Sequence, residues 1–276
     1  MEETAARGEI RRFLAEDLGR GDITTALTIP TGLTGRARIE AREACVAAGL
    51  DVARWVFEEA GAVEEWAPEV RDGDVLEGPR VMARLSADLH TILGSERTAL
   101  NLLGRMSGIA TMARRYADAV AHTPAKIVDT RKTTPGLRMF EKQAVITGGA
   151  RNHRFGLDDG VLIKDNHVRA CGGVGEAVSR ARQGAPHGLK IEVEVTTLAE
   201  LDEALAAGAD AILLDNMDPE TTSEAVRRAG GKALLEASGG MTLDRVGVYA
   251  ETGVDLISVG SLTHSVGAVD VALEIE

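Results

Sequence analysis

The chain has 276 residues and a mass of 29.1 kDa, enough for one large or two unequal domains with a buried core. Its composition, 44% hydrophobic and 27% charged, excludes disordered and collagen-like proteins. A net charge of −12, 3% aromatic residues, two distant cysteines and no long apolar segment predict a cytoplasmic globular protein that binds neither nucleic acid nor membranes.

The first hundred residues predict a small α+β layer. An amphipathic pattern predicts a helix over 10–18, and alternation of apolar and polar residues predicts a strand over Thr34–Ala41. A second helical pattern covers Leu50–Ala60 and ends at Gly61. Two short strands are expected within 70–85 because turn residues interrupt the apolar positions there.

A long helix follows this layer. Ser95 is placed to cap a helix that starts at Glu96 and runs to about residue 121. The small residues Ser107 and Gly108 mark the point at which a break in that helix is expected.

Beyond this helix, short apolar runs alternate with helical patterns. The runs cover 127–128, 161–163, 191–195, 211–214, 233–235 and 256–259. Helical patterns lie between the later runs, at 198–205 and 243–252. This alternation predicts βα units around a parallel sheet, with an open doubly wound sheet as the alternative. The predicted fold class is α/β, an incomplete α/β barrel over 104–265 with a smaller N-terminal α+β sandwich domain over 1–103, joined by 266–276.

Polar residues follow each predicted strand of the barrel. The clusters are Asp129-Thr130-Arg131-Lys132, Lys164-Asp165-Asn166-His167, Glu194, Asp215-Asn216, Glu236-Ala237-Ser238-Gly239-Gly240 and Gly260-Ser261. Helix capping explains a single cluster of this kind but not six in register. Because the carboxyl ends of barrel strands open on one face, the clusters predict an active site there.

The segment 126–169 is basic within an acidic chain. It holds nine lysines and arginines against five acidic residues, together with His153 and His167. Arginine offers a fork that matches carboxylate or phosphate, and lysine offers a point charge. Since Arg131, Lys132 and Lys164 follow strands, we interpret the segment as an anion site, with a solvated basic face as the alternative.

Two further patterns concern phosphate and sugar groups. Ser238-Gly239-Gly240 and Gly260 follow consecutive strands and offer backbone N–H groups to a phosphate. Glu194 and Asp215 follow neighbouring strands and can bind Mg²⁺, accept from sugar hydroxyls or transfer protons, with a counter-ion role as the alternative. No two histidines are four residues apart, which argues against zinc.

Four long motifs resemble the quinolinate phosphoribosyltransferase family, also called nicotinate-nucleotide pyrophosphorylase (carboxylating), of the type II phosphoribosyltransferases. They are LNLLGRMSGIAT at 100–111, DTRKTTPGLR at 129–138, GGARNHRFGL at 148–157 and LIKDNH at 162–167. The similarity in order and spacing extends from Gly21 to Gly260. The resemblance implies transfer of phosphoribosyl from phosphoribosyl pyrophosphate to quinolinate with loss of CO₂, which gives nicotinate mononucleotide for NAD biosynthesis.

The resemblance also implies roles for individual residues. The residues implied to bind quinolinate are Arg105, Arg131, His153, Arg154 and Lys164. The residues implied to act in catalysis are Lys132, Lys164, Glu194 and Asp215; both lysines face the phosphoribosyl donor, and both acids hold the ribose hydroxyls directly or through Mg²⁺. The residues implied to bind phosphate are Ser238, Gly239, Gly240, Gly260 and His264. The family is homodimeric, and Arg105 is expected to be donated across the interface.

The sequence is also compatible with three alternative functions. Gly104, Gln143 and Ala150 differ from the residues usual in the family, so the acceptor can be a different pyridine or aromatic acid. A Schiff-base lyase that uses Lys164 is a second alternative. A small-molecule-binding or scaffold protein without turnover is a third.

Overall fold

The computed structural model describes residues 1–276. The helices, α1 to α11 in chain order, are Glu3–Leu18, Ile23–Thr28, Leu50–Ala60, Leu89–Ala119, Arg138–Thr147, Asp165–Cys171, Val174–Gly184, Leu198–Ala206, Pro219–Ala229, Val246–Glu251 and Ser261–His264. The strands, β1 to β12, are Thr34–Ala41, Cys45–Val46, Val63–Pro68, Val75–Leu76, Arg80–Asp88, Lys126–Val128, Val161–Ile163, Ile191–Val195, Ala211–Asp215, Leu234–Ser238, Leu256–Ser258 and Val271–Ile275. None of the helices has the length and apolar character that a membrane span needs.

The chain divides into two compact units. The first comprises Met1–Arg114, Thr133–Gly149 and Leu262–Glu276, and the second comprises Arg115–Lys132 and Ala150–Ser261. Residues 104–114 and 133–149 fall in the first unit, whereas the division expected from the sequence places them with the barrel. That expected division, at 103 and 265, stays a prediction about domains.

The first unit contains a four-stranded antiparallel sheet in the order β12-β1-β5-β3 and a separate pair, β2-β4. Helix α3 packs beside this sheet, with the rings of Phe57 and Trp66 centred 6.2 Å apart. Helix α1 packs on α3, where the Arg7 guanidinium lies 5.6 Å from the Trp55 ring. The prediction of an N-terminal α+β domain is confirmed, and it is built on a small antiparallel sheet.

The second unit contains six parallel strands in the order β6-β11-β10-β9-β8-β7. The strands are apolar because helices and sheet bury both of their faces, and Val193 and Ile212 are fully buried. No ladder joins β6 to β7, so the barrel is not closed. The predicted incomplete α/β barrel is confirmed.

The register of the parallel strands determines which residues lie beside Glu194, Asp215 and Glu236. Glu194 of β8 pairs with Leu213 of β9, and Asp215 of β9 pairs with Ser238 of β10. Glu236 of β10 pairs with Leu213, so it lies two residue pairs before Ser238 along the ladder. The sequence pattern placed Glu236 after a strand; it lies inside β10 and is buried.

Two helices begin earlier than predicted. Helix α1 begins at Glu3 because the Glu2 carboxylate accepts from the N–H groups of Thr4 and Ala5 at 2.9 and 2.6 Å. Helix α4 begins at Leu89, after Asp88, whose Oδ1 accepts from the N–H of His90 at 2.8 Å.

The predicted cap and break in α4 are wrong. Ser95 lies inside the helix and donates to the carbonyl of Thr91 at 2.6 Å. The helix runs without interruption through Ser107 and Gly108. A Cβ on Gly108 would overlap the carbonyl oxygen of Gly267, so this glycine permits close packing rather than a bend.

Candidate active site

A cavity of about 390 Å³ lies among residues at the carboxyl ends of the parallel strands. That volume is within the usual range for small-molecule sites. The structure brings together eight residues that the sequence predicts for the site: Arg131, Lys132, His153, Arg154, Lys164, Glu194, Asp215 and Ser238. Five further residues line the cavity: Thr130, Leu162, Leu213, Glu236 and Ser258.

Two arginines of the cavity have unused hydrogen-bond donors. The Nε atoms of Arg131 and Arg154 are both buried without a partner. Burial lowers the pKa of Arg154, and the positive charge of Arg131 lowers it further. Like charges held close with unused donors destabilise a fold unless an anion neutralises them. The pair is therefore suited to an anion with two acidic groups.

A lysine and two carboxylates form the next part of the lining. Lys164 Nζ lies 3.8 Å from Glu194 Oε2. Burial raises the pKa of Glu194, Lys164 lowers it, and the charge of Asp215 on the adjacent strand raises it. Lys164 is half-exposed and pairs with a carboxylate, whereas Schiff-base lysines are desolvated in an apolar pocket or lie beside another cation. This geometry disfavours the lyase alternative.

Hydrogen bonds assign the protonation of His153. Its Nδ1 accepts from the N–H of Arg154 at 2.7 Å, so Nδ1 carries no proton. Its Nε2 lies 3.0 Å from Glu192 Oε2 and must carry the hydrogen that this contact needs. In this arrangement His153 is a neutral donor, although the resemblance implied a cation.

The glycine-rich loops are only partly at the cavity. Ser238 lines it, but Gly239, Gly240 and Gly260 do not. Gly239 has φ of 102°, and a Cβ there would overlap the Asn216 side chain, so no other residue fits. The phosphate-binding roles of these residues stay predictions.

Two family models match nearly the whole chain. The model described as quinolinate phosphoribosyl transferase, N-terminal domain, matches residues 22–107, and the C-terminal domain model matches residues 109–274. The chain belongs to the quinolinate phosphoribosyl transferase family.

Relatives and solved structures agree with this family. The chain is 47% identical over 277 residues to the nicotinate-nucleotide pyrophosphorylase [carboxylating] of Mycobacterium leprae, covering 98% of this chain and 97% of the relative. It is 43% identical over 266 residues to a probable enzyme of the same name from Bacillus subtilis, covering 96% and 92%. The structure of the nicotinate-nucleotide pyrophosphorylase from Francisella tularensis superposes with a TM-score of 0.95 at 36% identity, covering 100% of this chain and 98% of that one.

Two residues that the family resemblance implies for the site belong to the first unit. Arg105 donates to Glu141 Oε1 from Nη2 at 2.8 Å and to the carbonyl of Val266 from Nη1 at 2.7 Å, and Nη2 also contacts the carbonyl of Thr263. It lines a separate cavity of about 440 Å³ in that unit. His264 ends α11, with Nδ1 2.6 Å from Ser265 Oγ. The roles of both residues at a substrate stay predictions.

Glu194 and Asp215 fit the chemistry of a magnesium site. Mg²⁺ binds through one or two carboxylates together with substrate phosphates and water. Burial and the neighbouring acidic charges that raise the pKa of Glu194 also favour binding of a cation there. The two side chains line one cavity with the lysines expected to face a phosphate donor.

Sequence analysis assigned no role to the buried acids Glu192 and Glu236. Glu192 is 8% exposed and Glu236 is 1% exposed, and the other buried residues of their parallel strands are apolar. An acidic residue at a buried position of such a strand is a usable signal, because an uncompensated buried carboxylate is costly and is retained at functional sites. The groups that surround Glu192 and Glu236 come from neighbouring strands, and the sequence alone does not give the order of those strands.

Proposed function

We propose that this protein transfers the phosphoribosyl group of phosphoribosyl pyrophosphate to the ring nitrogen of quinolinate and then removes the 2-carboxylate. The products are nicotinate mononucleotide, pyrophosphate and CO₂, as in NAD biosynthesis. The observation that carries the proposal is the pair Arg131 and Arg154, whose buried Nε donors lack partners. Membership of the family and the names of its relatives support the choice of substrates.

The cations explain how two polyanions occupy one site. Each pair of unit charges 4 Å apart repels by about 4 kcal/mol at an effective dielectric constant near 20. In the proposal, Arg131 and Arg154 bind the two carboxylates of quinolinate, and His153 donates a hydrogen bond. Lys132 and Lys164 face the pyrophosphate and stabilise the negative charge that develops on it as it leaves.

In the proposal, Glu194 and Asp215 interact with the ribose of the phosphoribosyl donor. As the bond to pyrophosphate breaks, positive charge develops on the ribose, and Glu194 and Asp215 stabilise that charge while accepting from the ribose hydroxyls. We propose that these two residues also hold Mg²⁺, which when bound offsets the charge of the pyrophosphate group. The ring nitrogen attacks with its own lone pair, so this step requires no general base.

Assembly and location are also proposals. We propose a homodimer in which Arg105 of one subunit completes the site of the other, supported by the family resemblance. Sedimentation tests the dimer, and the activity of mixtures of an Arg105→Ala variant and an inactive Lys164→Ala variant tests the role of Arg105, because hybrid dimers regain one complete site. We also propose a cytoplasmic location, which cell fractionation tests.

The function is tested by incubating the protein with phosphoribosyl pyrophosphate, Mg²⁺ and quinolinate, nicotinate or other pyridine acids in turn. Pyrophosphate and CO₂ are measured separately. We expect equal amounts of both with quinolinate, and loss of activity with EDTA that added Mg²⁺ restores. Binding of both substrates without pyrophosphate release contradicts the proposal and favours a protein without turnover. Inactivation by borohydride with substrate favours a lyase.

A further inference from the structure

Glu236 has an unusual position for an acidic side chain. It points from β10 into the cavity lining and is 1% exposed. Neither of its carboxyl oxygens has a hydrogen-bond partner. The nearby Ser258 hydroxyl donates to the carbonyl of Ala237 at 3.5 Å. The proposed roles of the other lining residues leave Glu236 without a function.

The groups around Glu236 favour its neutral form. Glu192 on β8 and Asp129 after β6 place negative charge beside it. His153 Nε2 lies 3.6 Å from Glu236 Oε2 and 3.0 Å from Glu192 Oε2. His153 and Ser258 lower the pKa of Glu236, but their effects are smaller than that of burial. Burial first, and then the charge of Glu192, raise the pKa of Glu236 to about 7. A carboxyl of this kind retains its proton at neutral pH.

A metal ion is a less suitable explanation for the cluster. Ligand atoms of His153, Glu192 and Glu236 lie within 4.8 Å of one another. A histidine that binds a metal through Nε2 normally donates a hydrogen from Nδ1. Nδ1 of His153 instead accepts from a backbone N–H, so Nε2 carries the hydrogen and has no lone pair for a metal.

The proposed reaction requires a proton donor in this cavity. When the 2-carboxylate leaves as CO₂, the electron pair of the broken bond stays on C2 of the pyridinium ring, and a proton must be added there. Arginines hold their protons too tightly to donate, and the Nε2–H of His153 points to Glu192. Lys164 is half-exposed and pairs with Glu194. Lys132 is assigned to the pyrophosphate, and Glu236 is the lining acid whose two buried carboxyl oxygens have no hydrogen-bond partner.

We propose that Glu236, as a carboxylic acid, donates its proton to C2 as the bond to the 2-carboxylate breaks; this rests on the proposed function. The C2–carboxylate bond breaks, CO₂ departs without charge, the electron pair forms a bond to the Glu236 proton, and Glu236 becomes a carboxylate. The negative charge of the 2-carboxylate is replaced by that of the Glu236 carboxylate, so the positive charges of Arg131 and Arg154 remain balanced within the cavity. Solvent protonates Glu236 again when product leaves.

The first test is Glu236→Gln, which keeps size and removes the acid. In a single turnover we expect pyrophosphate release within about threefold of the wild type, because that step needs no acid. Formation of CO₂ and nicotinate mononucleotide should fall by about 100-fold or more, and the carboxylated mononucleotide should accumulate. The matched control is Glu251→Gln, an exposed glutamate of the same unit that contacts only His122 at 3.4 Å, and it should behave as wild type.

The outcomes separate the two proposals. Equal amounts of CO₂ and pyrophosphate at wild-type rates in Glu236→Gln overturn the role of Glu236. No pyrophosphate from the wild type overturns the proposed function instead. If Glu236→Gln does not fold, the pH dependence of the wild type decides. The rate of CO₂ formation relative to pyrophosphate release should fall as pH rises through about 7, and a constant ratio overturns the proposal.

Discussion

The backbone N–H of His153 donates to Asp129 Oδ1 at 2.8 Å, and Asp129 is fully buried. The backbone N–H of Asp129 in turn donates to the carbonyl of Arg151 at 3.0 Å. These bonds fix the start of the loop that carries His153 and Arg154 to the strand end that carries Arg131. The two arginines of the cavity are thus held in place by an acid that lies outside its lining.

Replacing Asp129 tests this arrangement. We expect Asp129→Ala to lower the free energy of unfolding by about 1–3 kcal/mol, because the N–H of His153 loses its acceptor. The KM for quinolinate should rise in the same variant. Asp129→Asn keeps an oxygen acceptor and should lose less stability. Urea unfolding and steady-state kinetics measure both effects, and equal losses in the two variants contradict the assigned bond.

Removing Arg131 should change stability and activity in opposite directions. Arg131→Ala relieves the repulsion that lowers the pKa of Arg154, so we expect a higher melting temperature without ligand. Quinolinate affinity should fall by about 100-fold, or ~3 kcal/mol, because a charged partner is lost. Lys164→Ala should lose turnover to a similar extent.

The control for these variants is Arg180→Ala. Arg180 is exposed and pairs with Glu176 one turn away on α7, so its loss should leave melting temperature and kinetics nearly unchanged. Equal effects of all three substitutions on activity would show that the cavity is not the anion site.

The raised pKa of Glu236 should make the free energy of unfolding depend on pH. Its pKa in the folded protein, about 7, is above its ordinary value of 4.5, so the folded state binds more protons between these values. The free energy of unfolding should therefore decrease as pH rises from about 4.5 through 7, by up to ~3 kcal/mol. Glu236→Gln should remove this slope. Urea unfolding at pH 5 and pH 8 measures it, and the same slope in both proteins excludes the raised pKa.

Two helical glycines should respond oppositely to alanine. Gly108→Ala in α4 introduces a Cβ that overlaps the Gly267 carbonyl, so we expect a loss of stability despite the higher helix propensity of alanine. Gly175→Ala in α7 meets nothing within 4 Å and should gain about 0.4–1 kcal/mol. Thermal unfolding of both variants checks the pair. A stabilised Gly108→Ala protein would contradict the close packing.

Sequence patterns predicted strands more reliably than helix starts. The run 191–195 is apolar and β-branched at alternate positions, and it forms β8 with those bounds because such residues pack well on one face of a strand. The predicted start of α4 was wrong because serine is a common N-cap residue, whereas the Ser95 hydroxyl donates to the carbonyl of Thr91 one turn earlier in the helix. Local propensity does not distinguish these two uses of serine.

The candidate site was predictable where function depends on residue type at a strand end. Arg131, Lys164, Glu194 and Asp215 follow that rule and line one cavity. The neutral state of His153 was not predictable, because it depends on a backbone N–H and on Glu192 from a strand distant in sequence. Charge counting alone assigns a histidine in a basic segment to the cations.

The gap between β6 and β7 has a consequence for how the site can diversify. The connection between these strands carries Arg131, Lys132, His153 and Arg154, and it joins the two outermost strands of the six-stranded order. Only Arg151 of this connection bridges β6, at Val128. Insertions or exchanges in that connection leave every ladder of the parallel sheet intact. Because no ladder joins β6 to β7, residues that select the acceptor can change in this connection without altering the strands that carry Glu194 and Asp215.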